Sequence, residues 1–266
     1  MSEIQDGLVK PGFHVNRSGH VVSLQMARPD KKNALTESMW LDLALIFETL
    51  GRANDVRAIV LSGTGGNFCA GADIAEFDTA RRGPRAATYE AANSRAFRAV
   101  RDCPVPTIAA IDGICFGGGF GLAAACDLRI ASPGALFSVP AARLGLAYPV
   151  DAMADIVHAL GPQLSRYMTF SAGRLDTPTA LTLGFLLEVT DQPPAIDRAR
   201  EVAETIAANA PLSVRASKAA IAAVLTNDPA DIARAGELGS ATFSSGDYEE
   251  GRIAFREKRK PSFTGS

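Results

Sequence analysis

The chain has 266 residues, 47% of them hydrophobic and 21% charged, an ordinary globular composition long enough for one large domain or one domain with an appended part. Its formal charge of −2 removes any bulk electrostatic case for nucleic acid or an anionic membrane as partner. The four cysteines (Cys69, Cys103, Cys115, Cys126) lie in or beside apolar runs without metal-ligand spacing, and His14, His20 and His158 are scattered, so no metal site is expected.

No signal peptide precedes the cysteines, which therefore read as reduced, buried thiols of a cytoplasmic protein. Residues 1–11 read as a loose start. Phe13 to Met26 holds two alternating runs around Arg17-Ser18-Gly19, the pattern of a β-hairpin. A polar loop, 28–33, precedes Thr36, which can cap a helix to about Arg52 with Met39, Leu43, Ile46 and Leu50 on one face. Val56 to Ser62 reads as a strand, 63–72 (GTGGNFCAGA) as a glycine-rich loop, and Ala86 to Arg101 as a helix ended near Pro104.

The most informative stretch is 104–130, PVPTIAAIDGICFGGGFGLAAACDLRI. Thr107 to Ile111 is a short apolar run that reads as a buried strand, and Phe120 to Cys126 is an alanine-rich helix. Between them stand Gly117, Gly118 and Gly119. Strand, glycine turn and helix aim free backbone N–H groups at one point, where an oxygen gaining negative charge would be stabilised. A glycine triplet also marks a plain tight turn, and both readings stand at this point. Asp112, the prolines and the glycines argue against a membrane span.

Farther on, Leu128 to Ala131 and Leu136 to Val139 read as short strands. Val150 to Leu160 and Leu164 to Ser171 read as helices broken by Gly161-Pro162, followed by a helix at Thr177 to Leu183 and a strand at Leu186 to Thr190. The pattern is then wholly helical: 197–209, 212–225, 229–243 and 246–258. Strands in pairs alternating with helices, then helices alone, predict an α/β fold: a core of repeated ββα units over 1–195 and a helical segment over 196–266.

Four segments, in order and at these spacings, resemble the crotonase (enoyl-CoA hydratase/isomerase) superfamily over about residues 13 to 263. They are Arg28-Pro29 with Asn33-Ala34-Leu35; Asn67 to Ile74; Asp112-Gly113 through the glycine triplet to Cys126-Asp127-Leu128; and the tail GRIAFREKRKPSF, Gly251 to Phe263. The resemblance implies a spiral of ββα units, a C-terminal helical part that assembles trimers or dimers of trimers, and an acyl-CoA thioester as ligand, with coenzyme A entering only as part of the substrate. It implies that the backbone N–H groups of Ala72 and Gly118 bind the thioester oxygen and stabilise an enolate, with Gly117 beside them. It also implies CoA contacts near Ala70, Asp73 and Ile74, around Lys31, and from Lys258 and Lys260; the two lysines read equally as a solvated charge run.

The chain departs from the family's hydratases at the two positions where they carry glutamates. Gly121 and Ala141 stand there, and neither residue transfers a proton. Tyr148 and Asp151 are the alternative proton carriers, Tyr148 matching a tyrosine of the family's acyl-CoA decarboxylases. Their plainer readings are a pocket wall for Tyr148 and a helix-dipole residue for Asp151. Two functions follow: an enolate-forming lyase or isomerase, a small acyl-CoA decarboxylase among the versions, or a non-catalytic acyl-CoA-binding protein.

Overall fold

The computed structural model describes residues 8–266; of the loose start expected over 1–11, residues 1–7 lie outside them. Strands β1 (Phe13–Ser18) and β2 (Val21–Met26) form the expected antiparallel hairpin, with Ser18 opposite Val21. A 3₁₀ turn (Pro29–Lys31) leads to α1 (Glu37–Arg52). Thr36 caps α1 by accepting the Met39 N–H, and its buried face carries Trp40 and Phe47 beside the expected apolar residues.

β3 (Ala58–Gly63) is followed by a 3₁₀ turn (Ile74–Glu76), α2 (Phe77–Ala80) and α3 (Arg85–Arg101). Then come β4 (Thr107–Ile111), β5 (Ile114–Phe116), α4 (Gly118–Ala125), β6 (Leu128–Ala131) and β7 (Leu136–Ser138). A 3₁₀ helix (Pro140–Leu144) precedes α5 (Val150–Ser171), β8 (Arg174–Asp176), α6 (Thr177–Thr182) and β9 (Glu188–Val189). Helices α7 (Ala195–Ala207), α8 (Pro211–Thr226), α9 (Pro229–Thr242) and α10 (Gly246–Glu257) complete the chain.

One sheet runs β1-β2-β3-β4-β6-β9, parallel from β2 onward; a smaller one runs β5-β7-β8. The strand pairs β4–β5 and β6–β7 each step from the large sheet to the small one, which makes the ββα repeat. β3 and β4 read as unbroken apolar runs because both faces of the large sheet are covered. One face meets α1 and α3. The other meets α7, whose Ala195, Ala199, Ala203 and Ala207 form a small-residue stripe against Val60, Ile108 and Ile130.

Two three-residue strands, β5 and β8, were not expected, and α4 starts inside the glycine triplet. The break expected at Gly161-Pro162 appears as a kink within α5, where Gly161 adopts φ 73° and ψ 163°. Asp127 is a fastener: its Oδ2 accepts from the Thr107 N–H (2.7 Å), the Thr107 hydroxyl (2.9 Å) and Lys218 Nζ (2.7 Å), joining β4, the start of β6 and α8. Among the described residues no helix is long and apolar enough to cross a membrane.

Candidate active site

The loops that leave the C-terminal ends of β3 and β5 meet backbone to backbone. A Cβ on Gly71 would stand 2.8 Å from Gly118 N and 2.9 Å from the Phe116 oxygen, and Gly71 has φ +96°, so only glycine fits. Gly117, at φ 53° and ψ −123°, makes the turn into α4. The loop around Asn33 holds this junction from outside. Asn33 Nδ2 donates to the oxygens of Thr64 (2.9 Å) and Asn67 (2.7 Å), and the Ala70 N–H donates to the Lys32 oxygen.

Leu35 and Ala72 form an isolated parallel bridge. The Leu35 N–H donates to the Gly71 oxygen and the Asp73 N–H donates to the Leu35 oxygen, both at 2.8 Å. In that pattern residue 72 turns its own N–H the other way. Gly118 is the first residue of α4, whose N–H has no partner inside its helix. Among the described residues neither amide finds an acceptor, and Ala72 and Gly118 line the same cavity, about 100 Å³ in volume.

Trp40, Phe97, Ala141, Tyr148, Arg81 and Asn93 form its walls. Tyr148 is half-buried, its hydroxyl 3.6 Å from where a Cβ on Gly117 would sit. Burial raises its pKa well above that of an ordinary tyrosine, against the pull of the Arg81 charge, so the phenol stays protonated. Gly121 faces Phe97: a Cβ there would lie 2.9 Å from the ring, which in turn packs edge-on against Trp40 at 5.5 Å. The space beside Gly121 is therefore filled by an aromatic side chain, and Ala141 presents only a methyl group to the cavity.

Arg81 lies between Phe77 and Tyr89, its guanidinium carbon 4.8 Å and 5.3 Å from their ring centres, and its Nε donates to Glu90 Oε1 at 2.6 Å. Glu90, Asn93 and Phe97 are one face of α3 turned to the cavity.

Ala70, Ala72, Ile74, Gly117, Gly118 and Tyr148 all come together here. Lys31 is exposed in the adjoining loop. Asp73 is otherwise engaged. Its Oδ2 accepts from Arg28 at 2.9 Å and its Oδ1 caps the following turn at the Ala75 N–H. Burial works against its charge, yet Arg28 and that N–H hold its carboxyl below the usual range. Asp151 is absent from the cavity wall. Its carboxylate accepts from Ser94 Oγ (3.3 Å) and from the Ala152 N–H (2.9 Å), so it ties the start of α5 to α3.

Lys258 and Lys260 are not brought to the cavity either. Lys258 ends α10, and the tail beyond is anchored where Arg57 donates to the Phe263 oxygen. Arg57 precedes β3, whereas the Ala70–Ile74 loop follows its far end. The cysteines are free and buried; burial pushes the Cys69 and Cys126 thiols up to about 12. Sequence reasoning did not find Trp40, Arg81, Glu90 or Asn93. Their only linear signal is the Glu90–Asn93–Phe97 spacing, which any amphipathic helix shows.

Two sheets in a ββα spiral, a helical C-terminal part and glycine loops converging beside α4 define a crotonase-fold protein. The family model described as enoyl-CoA hydratase/isomerase matches residues 16–266, and the chain belongs to that family. The short-chain-enoyl-CoA hydratase of Clostridium acetobutylicum is 29% identical over 248 residues, 92% of this chain and 95% of that protein. The mitochondrial Delta(3,5)-Delta(2,4)-dienoyl-CoA isomerase of Mus musculus is 32% identical over 211 residues, which is 75% of this chain but only 64% of the isomerase's length. An enoyl-CoA hydratase/carnithine racemase from Magnetospirillum magneticum, known from its crystal structure, matches with a TM-score of 0.90 at 33% identity, covering 97% of each chain.

Proposed function

We propose that this chain is an acyl-CoA lyase or isomerase that holds a thioester oxygen between the Ala72 and Gly118 amides and works through the enolate. What carries this is the pair of unpartnered N–H groups on one cavity. Each such donor typically lowers the barrier by about 3 kcal/mol, because it is fixed in place before charge develops on the oxygen. Coenzyme A enters as part of the substrate, and exposed Lys31, beside Ala70 and Ile74, is the cation assigned to it.

Tyr148 is the proton carrier. A phenol kept neutral by burial donates to an enolate carbon and does not abstract a proton from a thioester. That suits reactions in which the enolate arises without a base. Loss of CO2 from a 2-carboxyacyl group is one: the C–C pair flows into the thioester, the enolate oxygen is held, and the α-carbon takes the phenolic proton, which solvent replaces. The missing carboxylates at Gly121 and Ala141 favour a second reading, acyl-CoA binding without turnover.

A panel of acyl-CoA esters incubated in deuterated water and followed by mass separates the two. Turnover or α-deuterium incorporation that drops at least about tenfold in Tyr148→Phe supports the enzyme. Tight binding with no incorporation leaves the binding protein. Ala72→Pro, which deletes one amide hydrogen, is expected to lower turnover by roughly a hundredfold.

A further inference from the structure

Asn93 has no explained role. It is 6% exposed, it sits at the cavity wall, and its buried carboxamide oxygen has no hydrogen-bond partner among the described residues. Buried amides are almost always paired, because leaving one bare forfeits its hydration without return. Other unpaired buried atoms nearby have a local remedy: the Trp40 indole N–H and the Tyr89 hydroxyl lie beside one another. For the Asn93 oxygen no such pairing is found among the described residues. The place of Asn93 on α3, one turn from Phe97 and one from Glu90, sets it on the cavity wall with the aromatic side chains.

We infer that Asn93 is a specificity-determining residue that hydrogen-bonds a neutral hydroxyl on the acyl chain. This rests on the acyl-CoA reading above. A carboxamide donates and accepts, and a hydroxyl answers both ends, whereas a hydrocarbon chain answers neither. A carboxylate at that position finds no free positive charge among the described residues of the wall, because Arg81, the cation there, is already paired with Glu90. The acyl groups selected therefore carry an uncharged oxygen function on the part of the chain that meets Asn93, away from the carbon next to the thioester, in preference to an alkyl group or a carboxylate there.

The test measures binding of acetyl-, pentanoyl-, 5-hydroxypentanoyl- and glutaryl-CoA by calorimetry, to the wild type and to Asn93→Leu. 5-Hydroxypentanoyl-CoA is expected to bind the wild type about tenfold or more tighter than pentanoyl-CoA, and the ratio to fall to near one in the variant. Asn93→Ala gives the same collapse should leucine disturb the packing of α3. Equal binding of the hydroxylated and plain esters, a preference that survives both substitutions, or glutaryl-CoA as the tightest ligand each overturns the inference while leaving the acyl-CoA reading intact. Failure of every ester, acetyl-CoA included, overturns both.

Discussion

Gly121 leaves no room for a side chain. Any side chain there meets the Phe97 ring at 2.9 Å, and that ring is pinned against Trp40, so it has little room to swing away. Gly121→Glu is therefore expected to destabilise the fold by about 2–3 kcal/mol and to add no hydration activity; denaturant titration and a crotonyl-CoA assay check this. If the variant is as stable as the wild type, or hydrates, Phe97 does not close that position. Such facts separate what the sequence could reveal from what it could not. The glycine triplet and the Ala70-Gly71-Ala72 run are local, and their demands on the backbone are visible as residue types. Asn93 and Trp40 matter because α1 and α3 pack face to face, 53 residues apart along the chain. In the sequence each is one more residue on an amphipathic helix.

Between elements, α3 and α5 are joined twice, by Ser94 to Asp151 and by Arg101 to Asp155, whose carboxylate takes Arg101 Nη1 at 3.1 Å and 3.0 Å. Asp155 is 4% exposed. Burial outweighs the attraction of Arg101 and lifts its pKa to about 6. An acid whose folded pKa exceeds its unfolded value of about 3.9 binds a proton more readily when folded. Through this group, stability rises as pH falls from about 7 to about 4, by an amount of order 2 kcal/mol. Asp73 works in the opposite sense, since its folded pKa is depressed: its contribution is present above the unfolded pKa and is lost as pH falls further. The expected outcome is a gain in unfolding free energy between pH 7 and pH 5 that disappears in Asp155→Asn. A wild type and variant with parallel profiles would remove Asp155 as its source. The longer helices and the kink at Gly161 were legible from periodicity and punctuation. β5 and β8 were not, because three residues carry too little alternation to be told from a turn, and only their pairing with β7 makes them strands.

At the scale of the whole molecule, the C-terminal part is fastened to the core and still leaves one face bare. α7 lies on the large sheet through its alanine stripe. The tail closes back on the chain: buried Asp247 accepts from the N–H groups of Thr264 (2.7 Å) and Gly265 (2.9 Å), and Arg57 donates to the Phe263 oxygen (2.7 Å). α8 and α9 differ. Ile221, Val224 and Leu225 form one strip of α8, 64%, 78% and 52% exposed, and Ile232 on α9 is 50% exposed. Single exposed aliphatics need no explanation, but a contiguous strip of them on adjoining helices is costly to leave in water. We propose that other copies of the chain cover it, in a trimer or a dimer of trimers, with 196–266 as the assembling segment. Light scattering of the wild type is then expected to give three or six times the chain mass. Val224→Asp, which sets a charge in the middle of the strip and touches no part of the cavity wall, should shift it towards the single chain. A monomeric wild type at micromolar concentration, or a variant of unchanged mass, would mean that this face serves something other than self-assembly.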